Sequence, residues 1–316
     1  MPLDPQVSRF LDRLAVAAPR GSGGLSVAER RASIERLLAL GGEPETVARI
    51  DKQSFPGPDG PLRVWIYTPA DAPAGALPGL VYLHGGGFVA GSLETHDGIC
   101  RSLTNASGCR VVAVDYRLGP EAPFPAAVLD ACAATRWTAE HAARLGIDPR
   151  LLGVCGDSAG ATLAAVVAQR LAAEHGPPLA LQFLLCPILD YGADTPSRGA
   201  FGSGYLLDRE TLQHDLRHYM GERADVGDTR ISPLRTENLN GLPTTCIHTA
   251  ECDPLRDEGA AYAQRLEQAG VRVNYRCHSG MIHLFYGLQA VIPYAATAYR
   301  LIGADIRALF QSRERP

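Results

Sequence analysis

The chain has 316 residues, 46% hydrophobic and 20% charged, which is enough apolar material for a full core and excludes an intrinsically disordered polymer. Its 30 Lys and Arg against 34 Asp and Glu leave a net charge of −4, so it offers neither a basic stripe for a nucleic-acid partner nor a polybasic membrane anchor. No run reaches about 18 apolar residues, Asp4, Arg9, Asp12 and Arg13 interrupt the first twenty positions, and the eight cysteines lack a C-x-x-C pair; a cytoplasmic chain with free, buried thiols is expected.

Residues 5–19 carry Val7, Phe10, Leu11, Leu14 and Val16 at near-helical spacing. A second helix opens on the capping box Ser26-Val27-Ala28-Glu29, continues with Ile34, Leu37, Leu38 and Leu40 on one face, and stops at Gly41-Gly42. Over 48–68 the pattern changes to alternation, and Pro56-Gly57-Pro58-Asp59-Gly60 divides it into an antiparallel hairpin. Apolar runs at 79–83, 110–115, 151–155, 180–186, 244–249 and 271–277 then read as strands, with helical stretches at 124–145, 159–173 and 254–269 between them. Strands apolar on both sides and alternating with helices predict an α/β fold, a mostly parallel central sheet flanked by helices. The interval 191–240, rich in Gly, Asp and Arg with one helical stretch near 209–220, breaks the rhythm. It fits an insertion over the C-terminal edge of the sheet, where ligand sites of such folds lie.

Gly156-Asp157-Ser158-Ala159-Gly160 stands between a strand and a helix, the context in which G-x-S-x-G lifts a serine hydroxyl above the sheet on a strained turn. Upstream, the strand Gly79 to Leu83 runs into His84-Gly85-Gly86-Gly87-Phe88, whose glycines let successive backbone N–H groups turn toward one point, as an oxyanion hole requires. The same glycines formally match a dinucleotide fingerprint through Ala90, but Gly91-Ser92-Leu93 follows where its helix should begin. A serine nucleophile needs a base oriented by an acid, in the order Ser, Asp or Glu, His. Asp253 and His283 follow later strands in that order, with Glu251 and Asp257 as rival acids. His214 and His218, four apart, have metal-ligand spacing, but Asp215 replaces the glutamate of H-E-x-x-H and no further ligands accompany them; a solvated helix face and no metal site are the expectation.

Taken together, His84 to Phe88, Asp115-Tyr116-Arg117-Leu118 with Pro120-Glu121, Gly156 to Gly160, Asp253 to Gly259 and Gly280-Met281-Ile282-His283 resemble the hormone-sensitive lipase branch of the α/β-hydrolase superfamily, in particular its bacterial carboxylesterases. The resemblance implies an α/β-hydrolase fold with a small helical cap. Residues 1–45 would be the N-terminal cap helices, 46–190 and 241–316 the core, and 191–240 the cap insertion. It also implies Ser158, Asp253 and His283 as the triad, the N–H groups of Gly86, Gly87 and Ala159 as the oxyanion hole, and Asp115 to Glu121 as structural support. Phe88, Ile282 and Leu284 are the expected pocket residues. Gly119 replaces the family's usual alanine, and Leu284 stands where glycine is common, which narrows or reshapes the pocket.

The reaction expected is cofactor-free hydrolysis of a small-molecule ester with a short to medium acyl chain, through an acyl-enzyme. Amidase, lactonase or deacetylase activity would use the same parts. From a different class, a small-molecule receptor on this fold would bind without turnover; plant hormone receptors resembling this branch lose the histidine that this chain keeps as His283. A homodimer joined at the sheet edge is the oligomer the resemblance allows.

Overall fold

Along the central strands, successive side chains divide between two cores, so the sheet is buried on both faces. On β3 (Leu77–Leu83), Leu80 and Tyr82 enter one core while Val81 and Leu83 enter the other, and on β4 (Arg110–Val114) Val111 and Ala113 part from Val112 and Val114 in the same way. The computed structural model describes residues 2–17, 25–221 and 225–314. These residues form an eight-stranded sheet in the order β1-β2-β4-β3-β5-β6-β7-β8. The remaining strands are β1 (Arg49–Gly57), β2 (Gly60–Thr68), β5 (Ile147–Asp157), β6 (Leu181–Leu185), β7 (Thr244–Ala250) and β8 (Val273–His278). β1 and β2 form the predicted hairpin, registered from Arg49 opposite Thr68 to Gly57 opposite Gly60, and β2 lies antiparallel to β4. Every later pairing is parallel.

One face is covered by α3 (Asp97–Ser107) and α9 (Tyr294–Glu314), the other by α4 (Ala126–Glu140), α5 (Ala159–Ala173) and α8 (Arg256–Gln268). α3 and α9 lie where periodicity was not read as helical, although Ile302, Ile306 and Leu309 of α9 recur at helical spacing and are buried. In the interval after β6 there are two helices instead of one, α6 (Pro196–Phe201) and α7 (Arg209–Met220). At six residues, α6 is too short to carry a periodic signal; Thr195 caps it by accepting the N–H of Arg198, with proline in its first turn. No helix among the described residues is long and apolar enough to cross a membrane. All eight cysteines are unpaired; seven are buried and Cys277 is exposed.

The two N-terminal helices part company. α1 (Pro5–Ala17) buries Val7 and Phe10 in the core shared with α9, and the Asp4 N–H donates to the Gly280 carbonyl at 3.1 Å. Positions 18 and 19 of the expected first helix lie outside the described residues. α2 (Val27–Leu38) starts on the predicted capping box, with Ser26 N–H donating to Glu29 Oε2 at 2.7 Å and Glu29 N–H to Ser26 Oγ at 3.3 Å. It buries Ile34 in the opposite core, so α1 braces the loop before His283 while α2 reaches the top of the sheet.

Candidate active site

β5 ends at Asp157 and α5 begins at Ala159, leaving Ser158 as the single hinge residue at φ 52°, ψ −121°. That is a strained setting for a residue with a Cβ, and it turns the side chain away from the sheet. The turn is this sharp because α5 starts against the end of β3: a Cβ at Gly160 would overlap the Leu83 carbonyl. The second glycine of the motif is therefore a packing requirement, and a bulkier residue there would push the helix off the strand.

His283 comes to Ser158 from the loop after β8, and Asp253 from the loop after β7. In the tautomer with the proton on Nδ1, His283 donates to Asp253 Oδ2 at 2.8 Å, and Ser158 Oγ donates to His283 Nε2 at 3.0 Å. Asp253 is fully buried and its other oxygen accepts the Leu255 N–H at 2.9 Å, which fixes the carboxylate plane. The rival acids are engaged elsewhere. Glu251 Oε2 accepts the Gly280 N–H at 2.7 Å, and Asp257 Oδ2 accepts the Ser197 N–H at 2.8 Å.

Asp157, formally the variable position of the motif, ties the serine turn to the glycine run. It is fully buried, accepts the Gly85 N–H at 3.0 Å and the Tyr286 hydroxyl at 3.1 Å, and also accepts the Tyr82 hydroxyl. Burial raises its pKa, opposed by these hydrogen bonds. Gly85 is held in this way, the His84 carbonyl accepts the Tyr116 hydroxyl at 2.6 Å, and the next two glycines line the same cavity as Ser158. No acceptor among the described residues takes the N–H of Gly86 or Gly87, and the Ala159 N–H is one of the unpaired amides at the start of α5. Three donors beside an activated hydroxyl are suited to stabilising an oxyanion.

A cavity of about 150 Å³ opens over these groups, lined by Gly86, Gly87, Ser158, His283 and Leu284 below and by residues of α2 and α7 above. Leu284 is where the sequence reading placed it. Phe88 and Ile282 are not: both are fully buried in the cores and neither lines the cavity. Phe88 has φ 65°, which swings its ring away to stack on Tyr219 at 4.3 Å. The roof holds an unforeseen ion pair, Arg30 of α2 with Asp215 of α7, Nη2 to Oδ2 2.8 Å. His214 corrects another expectation. It is buried, not solvated, with Nε2 2.8 Å from the Leu25 carbonyl, because the segment leading into α2 covers that face of α7.

The family described as alpha/beta hydrolase fold matches residues 80–287. Esterase LipI of Mycobacterium tuberculosis is 39% identical over 299 residues, covering 94% of this chain and 92% of the relative. The ethyl acetate hydrolase of Pseudomonas putida is 39% identical over 307 residues, covering 93% and 95%. Among solved structures, the ester-hydrolase EH1AB1 from the metagenome of Lake Arreo superposes with a TM-score of 0.94 at 39% identity, covering 98% of this chain and 99% of that one. The hyperthermophilic esterase of Pyrobaculum calidifontis superposes at 0.91 with 37% identity and the same coverage.

Proposed function

We propose how this chain, which belongs to the hormone-sensitive lipase branch of the α/β-hydrolase family and is a serine ester hydrolase, carries out its reaction. Ser158 Oγ attacks the ester carbonyl as His283 Nε2 takes its proton. The carbonyl oxygen, now negative, receives hydrogen bonds from the N–H groups of Gly86, Gly87 and Ala159. His283 then gives the proton to the departing alkoxide, which leaves as the alcohol, and the acyl group stays on Ser158. Water enters and attacks the acyl carbon as His283 takes its proton; the bond to Ser158 Oγ then breaks, His283 returns the proton to that oxygen, and the acid departs. Asp253 keeps the ring in the right tautomer and stabilises it when charged. The observation that carries this reading is the single imidazole spanning Ser158 and Asp253 at 3.0 and 2.8 Å.

The substrates are esters with acyl chains of roughly four to eight carbons. A cavity of about 150 Å³ is the size that holds a benzene-sized group of about six carbons, so a short to medium chain fills it. Of the two segments expected to form the cap, 1–45 and 191–240, α2 and α7 supply the wall over the cavity, while α1 packs on the α9 side of the sheet. The homodimer pairs through β8, whose Tyr275 is among the few exposed large apolar side chains of the described residues. A fluorophosphonate probe tests the chemistry, since it labels only an activated serine: one adduct on Ser158 is expected, and absence of labelling counts against it. A panel of esters from two to twelve carbons tests the acyl range, with the optimum expected inside it, and a mass measurement in solution tests the dimer.

A further inference from the structure

We propose that Cys246, His248 and Asp305 form a site for one Zn²⁺ ion that fastens α9 to β7. Cys246 and His248 are two apart on a strand and therefore face the same side of the sheet, the side on which α9 brings Asp305. One donor atom from each, the thiol sulfur, an imidazole nitrogen and a carboxylate oxygen, all lie within 4.8 Å of one another.

The spacing of His248 and Asp305 suits a bridging ion as well as a direct contact. His248 Nε2 is fully buried and lies 3.2 Å from Asp305 Oδ2, a contact poorly directed for a hydrogen bond. Tetrahedral zinc with nitrogen and oxygen at about 2.0 to 2.2 Å would set those two atoms roughly 3.4 Å apart, both pointing at the ion and not at each other. The triad shows the contrast. Cys186 stands equally close to Asp253 and His283, but there nitrogen and oxygen are joined by a direct 2.8 Å hydrogen bond.

An outer layer is also in place. His248 Nδ1 is 3.0 Å from His278 Nε2, and His278 Nδ1 is 3.2 Å from Tyr294 Oη. If each ring donates from Nδ1, the chain ends on the tyrosine oxygen and leaves a lone pair on His248 Nε2, the support that metal-bound histidines normally have. A thiolate, an imidazole and a carboxylate select zinc over calcium or magnesium, with water as fourth ligand where Asp305 meets solvent. Arg276 is the competing cation: its Nε and Nη2 lie 3.0 and 2.9 Å from Asp305 Oδ2 and its Nη2 3.2 Å from Oδ1, so Oδ2 must leave the guanidinium to take the ion.

The test uses the full chain, stripped with a chelator and then equilibrated with Zn²⁺. One ion per chain, a raised Tm and unchanged esterase kcat are expected. Cys246→Ala and Asp305→Asn should each weaken binding by more than 100-fold, His278→Ala by about 10-fold, and Arg276→Gln should tighten it. Wild-type protein loaded with Co²⁺ should show thiolate-to-metal charge transfer, and a Cys186→Ala protein, which keeps Cys246, should retain it. Failure of the wild type to retain zinc, cobalt bound without that band, or wild-type affinity kept in Cys246→Ala overturns the site, and none of these readouts depends on the esterase mechanism.

Discussion

Arg30 of α2 and Asp215 of α7 stand 185 positions apart in sequence and close over the glycine run, where a Cβ at Gly87 would overlap the Asp215 carboxylate. With side-chain exposures of 11% and 4%, this pair is shielded from water, so each charge depends on the other. Asp215→Ala should cost about 3 to 5 kcal/mol in urea denaturation, the loss typical when a buried charge is left unpaired. Arg30→Ala should lower kcat more than Asp215→Ala does, because it leaves the carboxylate beside the developing oxyanion with only the His214 ring, 3.2 Å away, as a partner. Equal kcat values in the two variants would show that the Asp215 charge is not felt at the reacting carbonyl.

Asp253→Asn and Glu251→Gln separate the acid from its neighbour. The first removes the acceptor that sets the histidine tautomer, an effect of about 10⁴ in kcat for the serine protease example. The second keeps an acceptor oxygen for the Gly280 N–H and should change kcat little. A larger loss at Glu251 would transfer the role.

Leu284 is held at φ 62°, 7% exposed, with its side chain against the cavity. Leu284→Gly relieves left-handed strain of about 1 to 3 kcal/mol while losing about 1.5 to 3 kcal/mol of burial, so stability should shift only modestly. The acyl preference should move toward bulkier esters. An ester profile superimposable on wild type would remove Leu284 from the acyl wall.

Acid should destabilise the fold through its buried histidines. Burial lowers the pKa of His84 and of His96 to about 4, and of His278 to about 3. An unfolded histidine titrates near 6.5, so between about pH 6.5 and 4 the unfolded chain binds more protons, and stability present above that window is lost as pH falls through it. Each extra proton is worth about 1.4 kcal/mol per pH unit. The urea midpoint at pH 5 should therefore lie below that at pH 7.5; an equal or higher midpoint would contradict neutral buried rings.

Much of this was legible in the sequence because the signals are local. The alternation of β-rich and helical runs gave the strand sequence, and the G-x-S-x-G turn, the glycine run and the later Asp and His stand at strand ends that a parallel sheet gathers along one edge. What escaped depends on which way a side chain turns or what covers it. Phe88 adjoins the glycine run yet rotates into the core at positive φ, and Ile282 adjoins His283 yet faces inward, so neighbours in sequence are not neighbours in the cavity. Asp157 occupies a formally variable position, and only its buried bonds to Gly85, Tyr82 and Tyr286 show that it joins two motifs. The Arg30–Asp215 pair belongs to two segments that only the folded cap brings together.

The Ser158 hydroxyl, facing His283 Nε2 at 3.0 Å, forms the acyl-enzyme in this mechanism. The most direct measurement is kcat for a short-chain ester in purified Ser158→Ala, with folding checked by circular dichroism and thermal denaturation. A folded protein is expected, with turnover lowered by on the order of a millionfold, as for other triad nucleophiles. A folded Ser158→Ala protein that hydrolyses the ester at near wild-type rate would contradict it.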